Sequence, residues 1–239
     1  MILHAANTRG HANHGWLNSH HTFSFASYYD PERVHFGVLR VLNDDWIAGG
    51  TGFGKHPHDN MEIVTIPLTG ALEHQDSMGN KEVLHAGEVQ AMSAGTGIFH
   101  SEYNAKADEP CTLLQIWIFP EERNVAPQYA QTYYDVEAIK REWHAVVNPM
   151  GKGDGLGIHQ QAWFNLTRIP AGERRDYALR RPENGVYFFV IEGGISLDSQ
   201  ALGTRDAAGV WGQESFAVTA TEDAYVLAID LPLQLPKMG

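Results

Sequence analysis

Short apolar runs recur along this chain at intervals of about ten residues, each cut off by a glycine, a proline or a cluster of Asn, Asp and Ser. Glu62-Ile63-Val64-Thr65-Ile66-Pro67-Leu68 turns at Thr69-Gly70 into Ala71-Leu72-Glu73-His74-Gln75-Asp76. Ser77-Met78-Gly79-Asn80 turns the chain again, and Val83-Leu84, Val89-Gln90-Ala91-Met92 and Ile98-Phe99-His100 continue the series. Strands of this length and spacing predict an all-β sandwich or barrel. Upstream, residues 22–29 alternate aromatic and small side chains and read as a strand stopped at Asp30-Pro31. Residues 35–42 read as a second, ended by Asn43-Asp44-Asp45, and the glycines at 49, 50, 52 and 54 mark a loop.

The rhythm breaks between 120 and 155, where prolines at 120, 127 and 149 and glycines at 151, 153, 155 and 157 interrupt it. Residues 135–140 predict a short helix with Asp135 as N-cap, and residues 143–147 a strand. The rhythm then resumes: residues 162–169, residues 186–191 before Gly193-Gly194, then 195–197, 210–211, 215–218 and 225–229. The expected organisation is therefore a barrel over 1–120, a connecting segment over 121–157 and a second barrel over 158–239. Trp211 and Phe216 are expected in the core of the second.

Seventeen basic against 29 acidic side chains leave a formal charge of −12, which argues against direct nucleic-acid binding. No run approaches the ~18 apolar residues of a membrane span, and Met1 to Ala6 lack the charged start of a signal peptide. A cytoplasmic monomer is expected. Cys111 is the only cysteine, so a Cys-based zinc site is excluded; it sits in a strand-like run and reads as an inert core thiol.

Eleven of the 13 histidines precede residue 101. Among them, His56-Pro57-His58 and His100-Ser101-Glu102 are pairs with one residue between their members. On an extended strand that spacing puts both side chains on one face, about 6.6 Å apart along the backbone. Two such pairs on neighbouring strands turn three imidazoles and one carboxylate toward one point, the donor set of a mononuclear metal site. By parity Glu62 shares a face with His56 and His58, so it competes with Glu102 as the carboxylate. His74, Gln75 and Asp76 are expected on a solvent face, with a polar cluster near the pairs as the alternative. His11, His14, His20 and His21 lie in a segment expected to cap the barrel mouth. Phe53 and Met92 line either an apolar pocket or the core. The second half has no His-x-His and is expected to be metal-free.

The chain resembles the pirin family of the cupins. The matching stretch runs from Arg9-Gly10-His11 through Trp16, His21-Thr22-Phe23-Ser24-Phe25-Ala26 and Tyr29-Asp30-Pro31 to His56-Pro57-His58. It continues through residues 73–80 and Ser93-Ala94-Gly95-Thr96-Gly97-Ile98 to His100-Ser101-Glu102. In the second half only the strand rhythm and Asp230-Leu231-Pro232 match. The resemblance implies two tandem jelly-roll-like cupin barrels in a bicupin arrangement, with a metal in the first held by His56, His58, His100 and Glu102. Against the general cupin pattern, Ser93 stands where a proline is usual and His100 comes two residues late. The late histidine of this family travels with Glu102, which favours Glu102 over Glu62. Glu62 is then expected to orient a ligand histidine.

The resemblance implies a dioxygenase, with Fe(II) as the expected ion and other divalent transition metals able to take its place. A flavonol such as quercetin and dioxygen would be its substrates and carbon monoxide a product, with Glu102 as the base for the flavonol 3-hydroxyl. The alternative, suggested by nuclear members of the family, is an iron-binding, redox-sensitive module that docks a protein partner. Two further alternatives are a purely structural metal and another cupin reaction, such as isomerisation, on a different ion.

Overall fold

The computed structural model describes residues 1–236. Its first unit contains β2 to β12 and its second β13 to β23, with β1 (Ile2–His4) added to the second. In the first unit β2 (Gly10–Asn13), β3 (Leu17–His21), β4 (Leu39–Ile47), β6 (Glu62–Thr69), β9 (Glu88–Ser93), β11 (Cys111–Ile118) and β12 (Gln128–Tyr133) form one sheet, in the order β12-β9-β6-β11-β4-β3-β2. Facing it, β5 (Gly52–His58), β7 (Ala71–Asp76), β8 (Lys81–His85) and β10 (Ile98–Asn104) form a sheet in the order β5-β10-β7-β8. The second unit repeats the plan. Its large sheet joins β1 to β13 (His144–Pro149), β14 (Leu156–Ile158), β15 (Trp163–Ile169), β17 (Asn184–Glu192), β20 (Ala207–Trp211) and β23 (Ala224–Pro232). Its smaller sheets hold β16 (Tyr177–Ala178) with β21 (Ser215–Phe216), and β18 (Ile195–Leu197) with β19 (Gln200–Leu202) and β22 (Val218–Ala220). This is the all-β bicupin arrangement, and no helix among the described residues is long and apolar enough to cross a membrane.

The two large sheets pack against each other. Leu42, Val64, Ile66, Leu114 and Ile116 of the first share one apolar core with Phe164, Leu166, Phe189, Leu227 and Ile229 of the second. Because side chains alternate along a strand, the opposite face of the first sheet carries Asn43, Asp45, Thr65, Gln90 and Gln115, all buried except Gln115, which is half-buried. The interior of the first unit is therefore polar in part, beside two smaller apolar clusters around Leu17, Ile47 and Leu113 and around Ile63, Met92 and Ile98. That of the second is a conventional core of Val186, Phe188, Val190, Phe216 and Val226 among others.

Several local expectations are corrected. Residues 22–29 are a folded loop rather than a strand: Phe25 and Tyr28 bridge each other, and Ser24 and Asp30 are tied by hydrogen bonds through the Ser24 hydroxyl. The second strand begins at Leu39 and runs through Asn43-Asp44-Asp45. Those polar residues do not end it because Asn43 and Asp45 face the polar interior while Asp44 pairs with Arg9 and Arg205, each at 3.3 Å. The glycine-rich loop gives way to β5 at Gly52, where a Cβ would lie only 2.2 Å from the Glu102 carbonyl oxygen. Residues 136–141 are turns, not a helix, although the Asp135 carboxylate accepts from the N–H groups of Glu137 and Ala138 as an N-cap would. The stretch 121–157 is more than a connection, since β12 extends the first large sheet and β13 and β14 the second. Trp211 is 43 % exposed and lies outside the second core, whereas Phe216 is buried in it. Cys111 is buried, and burial pushes its thiol up to about 11.

At the start of the chain, β1 runs antiparallel to β20, with Ile2 beside Gly209 and His4 beside Ala207. His4 is buried, its Nδ1 2.6 Å from the Tyr187 hydroxyl, and its ring meets Phe23 edge-on. Burial lowers its pKa to about 4. Since the unfolded chain protonates this imidazole near its ordinary 6.5, stability falls as pH drops from about 6.5 toward 4 and this contribution levels off below. The loss amounts to up to about 3 kcal/mol. Urea unfolding at pH 7 and pH 4.5 should show a smaller difference in His4→Gln than in the parent chain.

Candidate metal centre

β5 and β10 pair antiparallel with His100 beside His56 and Ile98 beside His58. The register slips between His100 and Glu102, so Glu102 stands beside Phe53. β5 is an edge strand, which accommodates Pro57 without loss of a ladder hydrogen bond. Along β10, Ile98, His100, Glu102 and Asn104 are buried, while Phe99 and Tyr103 are exposed and Ser101 is half-buried. The alternate spacing thus delivers its side chains inward, as expected of a strand.

His56, His58 and His100 come together, with one ring nitrogen of each within 4.8 Å of the others. Their ring centroids are 4.4 to 4.9 Å apart. His56 Nδ1 lies 2.8 Å from the Gly54 carbonyl oxygen, which can only accept, so Nδ1 carries a proton and Nε2 is the nitrogen left for a metal. That Nε2 is 2.9 Å from His100 Nε2. Burial first, then the neighbouring histidines, lower His58 and His100 to about 3. At neutral pH both are uncharged imidazoles, the form that binds metal. Neutral nitrogens turned toward a common point are the donor set that a divalent transition ion fits.

Glu102 belongs to a second, fully buried group with His74 and His100. Its two oxygens accept from the Gln115 side-chain amide at 3.2 and 3.0 Å. The Thr65 hydroxyl donates to Gln115 Oε1 at 2.9 Å, and Gln90 Nε2 donates to Thr65 at 3.4 Å. This chain, crossing the sheet through paired residues of β9, β6 and β11, holds the Gln115 amide nitrogen toward Glu102. Burial raises the Glu102 pKa, while His74 and Gln115 pull against that rise.

His74 departs from the favoured solvent-face reading and follows its alternative, a polar cluster near the pairs. It is fully buried rather than on a solvent face, stacked on Tyr129 with centroids 4.4 Å apart. Its Nε2 is 3.2 Å from Asp76 Oδ2 and its Nδ1 3.5 Å from His100 Nδ1. Asp76 is in turn held by Asn80 and by the backbone of the Ser77–Asn80 turn. The partner that buries His74 comes from β12, in the stretch that reads as a connector. Glu62 also departs from expectation. On β6 it shares the parity of Val64 and Ile66, so it faces the second unit, where it accepts from the Ser93 hydroxyl at 2.7 Å and the His159 backbone N–H at 3.1 Å. The parity count from His56 fails because the chain turns over residues 59–61 before β6 begins.

Beside the histidines lies a cavity of about 560 Å³, walled in part by Trp16, Phe25, Phe53 and Trp117. His14 and His21 line it too, so this part of the N-terminal segment does sit at the cavity. Met92 does not; it packs in a small core with Ile63 and Ile98.

The Pirin family model matches residues 3–118, and the model for the quercetinase C-terminal cupin domain matches residues 145–231. The quercetin 2,3-dioxygenase of Escherichia coli (strain K12) is 45 % identical over 232 residues, covering 97 % of this chain and 99 % of that protein. A pirin-like protein of Caulobacter vibrioides is 40 % identical over 222 residues, covering 92 % and 95 %. The crystal structure of the bacterial pirin YhhW of Escherichia coli in complex with nickel(II) superposes with a TM-score of 0.91 at 44 % identity, covering 97 % and 98 %.

Replacing Gln115 by Leu leaves the buried Glu102 carboxyl without its amide donor. In metal-free protein this should cost roughly 1–3 kcal/mol, the range for leaving a buried polar group unsatisfied, read as a lower urea midpoint at unchanged slope.

Proposed function

The chain belongs to the pirin family, and from that premise we propose that it is a metal-dependent quercetin 2,3-dioxygenase, which cleaves a planar flavonol with dioxygen and releases carbon monoxide. The observation that carries this reading is the meeting of three histidine side chains, two of them held uncharged by burial, with an aromatic-walled cavity. About 560 Å³ falls in the range of small-molecule sites. The likeness to the Escherichia coli dioxygenase over nearly the whole of both chains supports the same substrate class.

His56, His58 and His100 would hold the ion, with Glu102 as the carboxylate. Nitrogen and carboxylate donors suit Fe(II) and Ni(II) alike; the nickel complex of the relative supports a divalent ion, and iron is the ion proposed here. When bound, the ion supplies Lewis acidity toward a substrate oxygen and the means to use dioxygen. The chain does the rest. Glu102 accepts the proton of the flavonol 3-hydroxyl. Gln115 keeps both carboxylate oxygens oriented through its own fixed amide. The His58 and Trp117 rings meet nearly perpendicular at 4.9 Å between centroids, which holds the imidazole and presents an apolar wall to the substrate. Asp76, through His74, steadies His100 from behind.

Iron-loaded protein should bleach quercetin and release carbon monoxide in equal amounts, with metal bound one to one by elemental analysis. His58→Ala should lower the rate by at least a hundredfold. Wild-type turnover without carbon monoxide, or undiminished release by His58→Ala, would overturn the proposal.

A further inference from the structure

One wall of the cavity carries polar groups that the chemistry above does not use. Ser19 stands beside Asp45 and His21 beside Asn43 where β3 pairs with β4, so the four side chains form a compact patch on one face of two strands. All four line the same cavity as His56, His58 and Glu102. Each is at least 95 % buried. The Ser19 hydroxyl donates to Asp45 Oδ1. By contrast, Asn43 Oδ1 and His21 Nδ1 have no hydrogen-bond partner among the described residues. Buried polar atoms are nearly always paired, and each left unpaired costs free energy.

The chemistry of the patch selects its ligand. The Asn43 amide oxygen and the Asp45 carboxyl offer acceptors, and the Ser19 proton is already committed to Asp45. Burial lowers His21 to about 4, so its ring is neutral and has one accepting nitrogen. Burial raises Asp45 to about 7, which leaves a carboxyl that shares or accepts a proton rather than a fixed anion for a metal cation. Acceptors in a cavity also lined by Trp16, Phe25, Phe53 and Trp117 suit hydroxyl groups on a planar aromatic ring.

We propose that Ser19, His21, Asn43 and Asp45 form a second subsite in this cavity, which takes the phenolic hydroxyls of a polyhydroxylated planar aromatic that are not engaged at the histidines. The subsite rests on the flavonol reading and sets which flavonols are preferred. Asn43 and Asp45 are its specificity-determining residues.

Binding without turnover tests it. Metal-loaded protein under argon is titrated with quercetin and with 3-hydroxyflavone, which keeps the 3-hydroxyl and lacks the others. Quenching of Trp16 and Trp117 in the cavity wall reports binding. Wild type should prefer quercetin by roughly tenfold or more, the worth of one or two hydrogen bonds to a buried acceptor. Asn43→Leu and Asp45→Asn should each lower that preference several-fold, the loss falling on quercetin. Asn43 makes no side-chain hydrogen bond among the described residues, so Asn43→Leu should not lower the melting temperature. Equal affinity of wild type for the two flavonols overturns the subsite and leaves the functional reading standing. So does an unchanged preference in both variants, or an equal loss of both flavonols in Asn43→Leu. Failure of wild type to bind either flavonol overturns the functional reading and the subsite with it.

Discussion

The burial of one apolar face of each large sheet against the other governs this molecule. The shared core of Leu42, Val64, Ile66, Leu114 and Ile116 with Phe164, Leu166, Phe189, Leu227 and Ile229 takes up the hydrophobic half of every central strand. What remains for the interior of the first unit is the other half, and there the chain places Ser19, His21, Asn43, Asp45, Thr65, Gln90 and Gln115. A small barrel that must hold itself together by its own interior could not keep so many polar groups inside. This one is held from outside by its neighbour. The second unit, with its interior filled by Phe188, Phe216 and aliphatic side chains, serves as the rigid partner that makes a polar chamber possible.

Within that chamber the donor groups are arranged by strand geometry and locked by hydrogen bonds. The Gly54 carbonyl selects the tautomer of His56. The Gln90–Thr65–Gln115 chain orients Glu102 from one side, and Asp76 with His74 backs His100 from another. His56, His100 and Glu102 thus each have a group behind them that limits their freedom, so these side chains are pre-organised rather than gathered by a ligand. Low-dielectric surroundings keep the imidazoles of His58 and His100 uncharged, which removes the repulsion that three close cations would otherwise suffer.

How much of this was legible in the sequence follows from the range of the interactions involved. The gathering of His56, His58 and His100 was readable because the period of two along a strand is local. Most strands from Glu62 to Ile118 were readable for the same reason, with glycine turns between them. His74 was misplaced because its burial depends on Tyr129, more than fifty residues away on an edge strand within an apparent connector. Glu62 was misjudged because parity does not survive a turn. Asn43-Asp44-Asp45 resembles a strand end, yet Asn43 and Asp45 face an inward chamber and Asp44 pairs with Arg205 of the other unit, neither of which composition reveals. The exposed Trp211 marks the converse limit: a large aromatic in a strand is not by itself evidence of a core position.

The pairing of Ile2–His4 with Ala207–Gly209 has a consequence for assembly. During synthesis β1 leaves the ribosome well before its partner strand, which follows some two hundred residues later. The first unit can collapse while the rest of the chain is still being made, but β1, which belongs to the second unit's sheet, must wait unpaired until β20 arrives. Closure of that long loop belongs to the late, slow class of folding events. The two units are therefore finished together, with β1 among the last elements to find its place.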